Sequence, residues 1–320
     1  MTIIERLGVE QPVVQAGMGG GVSRHRLAAA VSEAGGLGTI AVQGAAAIRA
    51  ELAAARSLTD RPVAVNLLLP FARRSWFEEA ARADAVVTFW GRPRRHTPGV
   101  WLHQVGSLAE ARAAHEAGAD GVIVQGVEAG GHVRGTTPAL DLLAQVRSAI
   151  PALPAWLAGG VATAQDVSRA LDAGAEAAVA GTRFLLTEES RAHPLYKERL
   201  LAADRTILTT LFGLGWPAAA HRVAPNEATD RWLARSGAVP APLRLLNAGS
   251  GLGARYLPAE IEARLVRRQR PSSRLLTPQA PTDDLTARLV EGGPLYAGET
   301  VARIDTVLPA GEAVRSLSRR

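Results

Sequence analysis

The stretch Asp120-Gly-Val-Ile-Val-Gln-Gly-Val-Glu-Ala-Gly-Gly-His-Val-Arg-Gly135 combines a strand, a glycine-rich loop and a histidine. Its first part, Gly121–Gln125, is a short β-branched run that is typical of a buried parallel strand. Glycines then lead to His132, and a loop of glycines lets the backbone approach a ligand closely because no Cβ intervenes. The stretch predicts a ligand site with one titratable group at a strand end. A plain turn with a hydrogen-bonded histidine fits it equally well.

Similar apolar runs recur along the first half of the chain. Together with the first they predict eight strands: Pro12–Gln15, Leu37–Ala41, Val63–Asn66, Ala85–Phe89, Val100–Gln104, Gly121–Gln125, Ala155–Ala158 and Ala177–Ala180. Most are separated by alanine-rich segments of helical period, several of which end in Ala-Gly, a helix stop signal. This alternation predicts an α/β protein, a (β/α)8 barrel of the TIM type. The segment between Phe89 and Val100 is too short and proline-rich for a full helix, so we expect either a loop there or a different number of strands.

The alternation stops after strand eight. Residues 1–187 are predicted to form the barrel. Residues 188–293 are predicted to form a helical subdomain without strand alternation, inserted after strand eight and packed over the barrel mouth. Residues 294–320 are expected to return to the barrel.

Composition narrows the functional classes. The 320 residues include no cysteine, which excludes disulfides, thiol nucleophiles and cysteine-based metal sites. No apolar run reaches the roughly 18 residues of a membrane span, and the N-terminus lacks a secretory signal. We therefore expect a cytoplasmic protein without a membrane partner. The net charge of +6 comes from arginines spread along the chain, since Lys197 is the sole lysine. The pattern indicates solvated faces rather than a nucleic-acid partner.

Polar and glycine residues follow the predicted strands at their carboxyl ends, where barrels place their functional loops. Glycines after strands seven and eight suit a phosphate, and neutral amides after strands three and six suit the edge of a heterocycle. The set predicts a phosphorylated planar cofactor, for which FMN is the natural candidate. Its members are Gly17, Met18, Asn66, Gln125, Gly130, Gly131, Gly159, Gly160, Gly181 and Thr182.

Other chemistries find less support. A glycine-rich turn after strand one also occurs in Rossmann dinucleotide sites, but strand two ends in Ile40-Ala-Val-Gln43 without the acidic residue of that fingerprint. The seven histidines include no close pair with acidic neighbours at metal-ligand spacing, so no metal is expected. His103, on strand five, is interpreted as a satisfied core histidine.

Four motifs together resemble the nitronate monooxygenase family, formerly the 2-nitropropane dioxygenases. They are Gln15-Ala-Gly-Met-Gly-Gly20, Gln125-Gly-Val-Glu-Ala-Gly-Gly-His132, Leu157-Ala-Gly-Gly-Val161 and Ala180-Gly-Thr-Arg-Phe184, and Tyr296-Ala-Gly-Glu299 resembles the family's C-terminal end. The resemblance covers residues 10–190 and about 294–315. It departs from the family at residues 90–99, where Arg92, Arg94, Arg95 and His96 replace a longer helix, and this leaves the substrate open.

The resemblance implies an FMN-containing barrel in which His132 is the catalytic histidine and the ten residues of the predicted cofactor set contact the flavin. The implied reaction oxidises alkyl nitronates or nitroalkanes with O2 to carbonyl compounds and nitrite, and His132 would remove the α-proton of a neutral nitroalkane. Two alternatives stay open at this point. One is an FMN-dependent enoyl-acyl-carrier-protein (enoyl thioester) reductase that uses NAD(P)H, and the other is a flavin-binding barrel with a sensing role. A homodimer is a further expectation.

Overall fold

Eight parallel strands form the barrel. The computed structural model describes residues 1–216, 219–233, 238–254 and 259–319, and all eight strands lie within these ranges: β1 Val13–Gln15, β2 Gly38–Ile40, β3 Val63–Leu68, β4 Ala85–Phe89, β5 Val100–Val105, β6 Gly121–Gln125, β7 Ala155–Ala158 and β8 Ala177–Ala180. They pair in sequence order, β1 also pairs with β8, and a bridge between Val14 and Leu37 joins β1 to the start of β2. The predicted (β/α)8 barrel is confirmed.

Helices cover the outside of this barrel. Those between the strands are His25–Glu33, Ala45–Arg56, Arg74–Ala80, Leu108–Glu116, Ala139–Ala149 and Ala164–Asp172. The helix Ala310–Ser318, near the end of the chain, packs between His25–Glu33 and Ala164–Asp172 and so completes the outer layer. Within the described ranges no helix combines the length and apolarity that a membrane crossing requires.

The amino-terminal end of the barrel is closed by apolar side chains. The helix Ile3–Leu7 places Ile3 and Ile4 against the residues that fill the barrel, among them Ile123 and Trp156. Gly121 allows this approach, because a Cβ at that position would lie 2.7 Å from Cδ1 of Ile3. Full burial of such a side chain contributes about 1.5–3 kcal/mol. The closed end leaves the carboxyl ends of the strands as the accessible face.

The segment after β4 is a loop, as predicted. It begins with Trp90 at φ 63° and Gly91 at φ 78°, two successive residues in the left-handed region. Its far end is tied down by Arg95, which donates to the carbonyl of Gly118 over 3.1 Å and to the Asp120 carboxylate over 2.8 Å. The loop is therefore anchored on both sides without a helix.

Residues 188–293 are not wholly helical. Their helices in the described ranges are Pro194–Leu201, Glu227–Trp232, Ala241–Ala254, Ala259–Arg268 and Arg288–Gly292. They also contain two strands, Ile207–Thr209 and His221–Ala224, which form a small antiparallel sheet with Leu295–Tyr296 and Gly131–His132. The expectation of no strand alternation is wrong here because strands this short carry no periodic signal and depend on distant partners. The predicted domain boundaries themselves stay a prediction, and the 188–293 segment includes positions outside the described ranges.

Candidate active site

His132 lies at the carboxyl face of the barrel on the loop after β6. The side-chain amide of Gln125, at the end of β6, donates to the carbonyl oxygen of His132 over 2.9 Å and accepts from the N–H of Arg134 over 3.1 Å. Gln125 itself is only 4% exposed, and both bonds are partly buried. A single buried amide thereby fixes the loop that carries the histidine.

The small sheet holds His132 from the other side. His132 pairs with His221 in the antiparallel register, and their rings lie 5.5 Å apart. His221 is fully buried, its Nδ1 is 3.0 Å from the carbonyl of Ala219, and its Nε2 accepts the N–H of Phe212 over 3.2 Å. Burial lowers the pKa of His221 to about 4. Since both ring nitrogens are engaged, His221 is a neutral support for its neighbour.

The His132 ring itself is held by packing. Burial lowers the pKa of His132 well below the usual histidine value, and the nearby His221 lowers it further. Within the residues that the structure describes, its hydrogen bonds run through the backbone, and neither ring nitrogen is engaged. A neutral imidazole with uncommitted nitrogens can accept a proton. This arrangement differs from the plain turn considered above, in which a backbone group would form a hydrogen bond with a ring nitrogen of the histidine.

Aromatic side chains surround this imidazole. The Trp216 ring stacks on it with centroids 4.3 Å apart and planes 28° apart, Tyr296 lies at 5.5 Å, and Trp90 meets it edge-on at 6.5 Å. The guanidinium of Arg134 covers Trp90 at 4.7 Å. Sequence reasoning missed Trp90, Trp216 and His221 as site residues. Trp90 directly follows a predicted strand, and that position could have marked it as a site residue. Trp216 and His221 belong to the segment of the small antiparallel sheet, which the sequence did not predict.

The glycines after β7 lie beside the C-terminal segment. Gly159 and Gly160 adopt φ of 109° and 77°, which only glycine does without strain. Arg303 donates to the carbonyl of Gly160 over 3.1 Å and to the Asp166 carboxylate over 3.0 Å. The carbonyl of this turn is thereby held by a guanidinium rather than facing a ligand.

The end of β8 is braced by the same segment. Gly181 precedes the short helix Thr182–Leu185, and the Thr182 hydroxyl accepts the N–H of Gly298 over 2.9 Å. Gly298 also explains Gly130, since a Cβ on Gly130 would lie 2.5 Å from the Gly298 nitrogen. Next to it, Gly131 at φ 72° faces open space. Gly130 after β6 and Thr182 after β8 therefore meet at Gly298 of the C-terminal segment.

The remaining predicted residues form a second group. A Cβ on Gly17 would lie 2.4 Å from Cβ of Asn66, so the loop after β1 lies directly on the end of β3. The backbone N–H of Met18 donates to the Ser23 hydroxyl over 3.1 Å, which fixes this loop. β4 and β5 separate β3 from β6, so Asn66 lies across the mouth from Gln125. A Cβ on Gly181 would lie 3.8 Å from Cβ of Ala16, which links the two groups.

Two other features of the described residues bear on the chemistry. No group of three or more histidine, aspartate or glutamate side chains is arranged to hold a metal ion within them. His103 is 2% exposed and its Nδ1 lies 2.8 Å from the Thr88 hydroxyl, so it is a buried, hydrogen-bonded core histidine.

A (β/α)8 barrel with its candidate site at the carboxyl ends of the strands is the architecture of many enzymes. The family model for nitronate monooxygenase matches residues 2–90 and 93–319, and the chain belongs to that family. The match is interrupted at residues 91–92, inside the loop after β4.

Curated relatives include proteins with two different activities. A nitronate monooxygenase from Pseudomonas aeruginosa is 36% identical over 263 residues, which cover 63% of this chain and 74% of the relative. A (3aS,4S,5R,7aS)-5-hydroxy-7a-methyl-1-oxo-octahydro-1H-indene-4-carboxyl-CoA dehydrogenase from Mycobacterium tuberculosis is 35% identical over 264 residues, covering 77% of this chain and 72% of the relative.

Two solved structures align over nearly the whole chain. FabK from Thermotoga maritima has a TM-score of 0.77 at 26% identity, covering 98% of this chain and 94% of its own. A nitroalkane oxidase from Streptomyces ansochromogenes has a TM-score of 0.73 at 28% identity, covering 97% and 95%. The chain is thus similar to a nitroalkane oxidase over 97% of its length.

Proposed function

We propose that this protein is an FMN-dependent oxidoreductase of the nitronate monooxygenase type, which oxidises alkyl nitronates with O2 to carbonyl compounds and nitrite. The observation that carries the proposal is His132, a neutral imidazole whose ring nitrogens have no hydrogen-bond partner among the described residues, on a fixed loop at the mouth of a barrel of this family. Small nitronates or nitroalkanes and O2 are the proposed reactants.

The residues at the mouth fit FMN. The positive φ of Gly159 and Gly160 and the absence of side chains at Gly181 leave backbone groups accessible where a phosphate would lie, with Thr182 beside them. Gly17, Met18 and Asn66 on one side, and Gln125, Gly130 and Gly131 on the other, would flank the ring system. Gln125 has one amide N–H beyond the one that it donates to His132. When bound, the flavin accepts electrons from the substrate and passes them to oxygen.

The lowered pKa of His132 bears on which substrates the site suits better. A general base works best when its pKa is near the operating pH, and burial has moved the pKa of His132 well below its usual value. The imidazole is therefore available in its neutral form but is a weak base. A nitronate has already lost its α-proton, so we propose nitronates ahead of neutral nitroalkanes. With nitronates, the stacked rings of His132 and Trp216 would position the substrate.

One experiment separates the candidate functions. The purified protein is denatured to identify the released flavin, and the flavin-loaded protein is mixed without oxygen with either ethylnitronate or NADPH while the flavin absorbance is followed. Bleaching by nitronate supports the proposal. Bleaching by NADPH alone supports the alternative, an enoyl thioester reductase, for which the similarity to FabK is the favouring observation. The released flavin must be FMN; FAD would contradict the cofactor assignment. The cytoplasmic location and the homodimer stay predictions.

A further inference from the structure

An open groove of about 1280 Å³ lies beside the proposed active site. Its walls come from the loop after β3, from the helix Arg74–Ala80 and from residues 91–96 of the loop after β4. Trp90 immediately precedes this last wall and lies 6.5 Å from the ring of His132. We call this feature the Arg92 groove. The groove runs along the flank of the barrel, from Leu69 and Gly91 at the carboxyl ends of β3 and β4 to Ala117, shortly before β6. Its upper end is therefore the end next to Trp90 and the histidine.

The position of the groove relative to the site is fixed. The Trp90 ring is held between Trp216, at 4.8 Å, and the Arg134 guanidinium, at 4.7 Å. On the far side, Arg95 anchors the loop to Asp120 over 2.8 Å. The loop is therefore a preformed wall for a ligand in the groove. Trp90 marks the end of this wall that lies toward the active site.

The cations of the groove differ in their partners. Arg74 pairs with Glu78 over 3.0 Å, and Arg95 pairs with Asp120. Arg92 and Arg94 are exposed and form no salt bridge with any residue in the described ranges. Two like charges two residues apart repel each other unless an anion lies between them. An uncompensated pair at the rim of a groove is complementary to a phosphate, which arginine binds through paired N–H donors.

The floor of the groove adds an apolar surface. Phe77 stacks with the imidazole of His96, with centroids 4.1 Å and planes 26° apart. Burial, followed by the charge of Arg94, lowers the pKa of His96, so the imidazole is neutral at neutral pH. The stacked rings of Phe77 and His96 line the same groove as Arg92 and Arg94, and such a flat face suits an organic phosphate with a planar part better than an inorganic ion.

We propose that the Arg92 groove binds the phosphate-bearing nucleotide handle of a substrate or co-substrate, whose reacting end extends past Trp90 to His132. The placement of the reacting end rests on the active site proposed at His132, whereas the binding of the handle does not. The handle has two possible sources of the same chemistry, a nucleotide thioester phosphorylated at the 3′ position or a nicotinamide dinucleotide phosphorylated at the 2′ position.

The test measures binding rather than turnover. Calorimetric titrations of the flavin-loaded protein use adenosine 3′,5′-bisphosphate, adenosine 2′,5′-bisphosphate, adenosine and inorganic phosphate as probes. The variants are Arg92→Gln/Arg94→Gln and, as a control with the same charge change, Arg112→Gln/Arg169→Gln, two exposed arginines on the helices Leu108–Glu116 and Ala164–Asp172.

We expect at least one bisphosphate to bind wild type and the control alike, and the groove variant roughly tenfold or more weakly, as the loss of charge-assisted bonds implies. A preference for the 3′,5′ isomer assigns a thioester, and a preference for the 2′,5′ isomer assigns a dinucleotide. Equal affinities in the groove and control variants, or no binding of either bisphosphate to wild type, would overturn the proposal.

Ethylnitronate has no handle, so kcat/KM with it should be unchanged in the groove variant. If wild type fails to oxidise ethylnitronate, the proposed function fails, but the titrations still decide the groove.

Discussion

The side-chain amide of Gln125 spans the loop of the candidate active site, donating to the carbonyl of His132 over 2.9 Å and accepting from the N–H of Arg134 over 3.1 Å. The sequence alone had suggested only a flavin contact for this glutamine. The two bonds give it a further role, the positioning of the histidine. They also explain why an amide stands here, because a carboxylate lacks the donor and an aliphatic side chain lacks both groups.

Replacing Gln125 by leucine should loosen this loop. Two partly buried hydrogen bonds to the backbone are lost, at a cost of up to about 1–3 kcal/mol each. We expect kcat/KM with ethylnitronate to fall while the flavin is still bound, because the glycines after β7 and β8 are untouched. The measurement compares flavin content and steady-state rates with those of Gln145→Leu, an exposed control on the helix Ala139–Ala149. A variant with full activity would contradict the positioning role.

Replacing His132 by asparagine should separate two classes of substrate. A positioned base contributes roughly 10²–10⁴ in rate, so oxidation of a neutral nitroalkane should fall by that factor. Oxidation of the matching nitronate should fall much less, because its α-proton is already gone. Both rates are measured on one flavin-replete preparation. An equal loss with both substrates would rule out proton removal by His132, and loss of the flavin would indicate a merely structural histidine.

The barrel could be predicted from the sequence because its signals are local. Each strand is an apolar run, and helices end in Ala-Gly before the next strand, so the order of elements and the ends of strands can be identified without tertiary information. The absent helix between Phe89 and Val100 follows from length and proline content alone. The predicted residues at the strand ends come out at one barrel face for the same reason.

The surroundings of His132 could not be predicted in this way. Trp216 and His221 reach the histidine only because the strand His221–Ala224 pairs with Gly131–His132, about ninety residues earlier in the chain. Strand pairs of two to four residues have no periodic pattern and owe their stability to distant partners. For the same reason, the bracing of Gly160 by Arg303 has no signature in either local sequence.

The buried histidines should make the folded state sensitive to acid. Burial lowers the pKa of His221 to about 4, below the value of about 6.5 in an unfolded chain. Between these values the unfolded chain binds more protons, so stability is fully present above pH 6.5 and is lost as the pH falls toward 4. The lost stability from this group is roughly 3 kcal/mol at most. Urea unfolding of wild type and His221→Gln at pH 7 and pH 5 checks this. The drop between the two pH values should be smaller in the variant, and an equal drop in both proteins would contradict the assignment.

Removing the guanidinium of Arg303 should weaken flavin binding without removing a flavin contact. Arg303 holds the carbonyl of Gly160 over 3.1 Å and the Asp166 carboxylate over 3.0 Å, and Asp166 in turn accepts the N–H of Ala162 over 3.0 Å. In Arg303→Ala the glycine turn is no longer held in its binding conformation. Part of the binding free energy of FMN must then be spent on ordering the turn. Hydrogen bonds to charged groups contribute about 1.5–3 kcal/mol, so the Kd of FMN should rise by roughly tenfold or more.

Fluorescence titration of the apoprotein with FMN measures this Kd. The control is Arg315→Ala, which replaces an exposed arginine on the helix Ala310–Ser318. At saturating FMN the oxidation rates should return close to those of wild type. The hydrogen bonds of Arg303 within the described residues go to Gly160 and Asp166 and not to the residues around His132. An unchanged Kd in Arg303→Ala, or an equal rise in Arg315→Ala, would show that the turn keeps its shape without this brace.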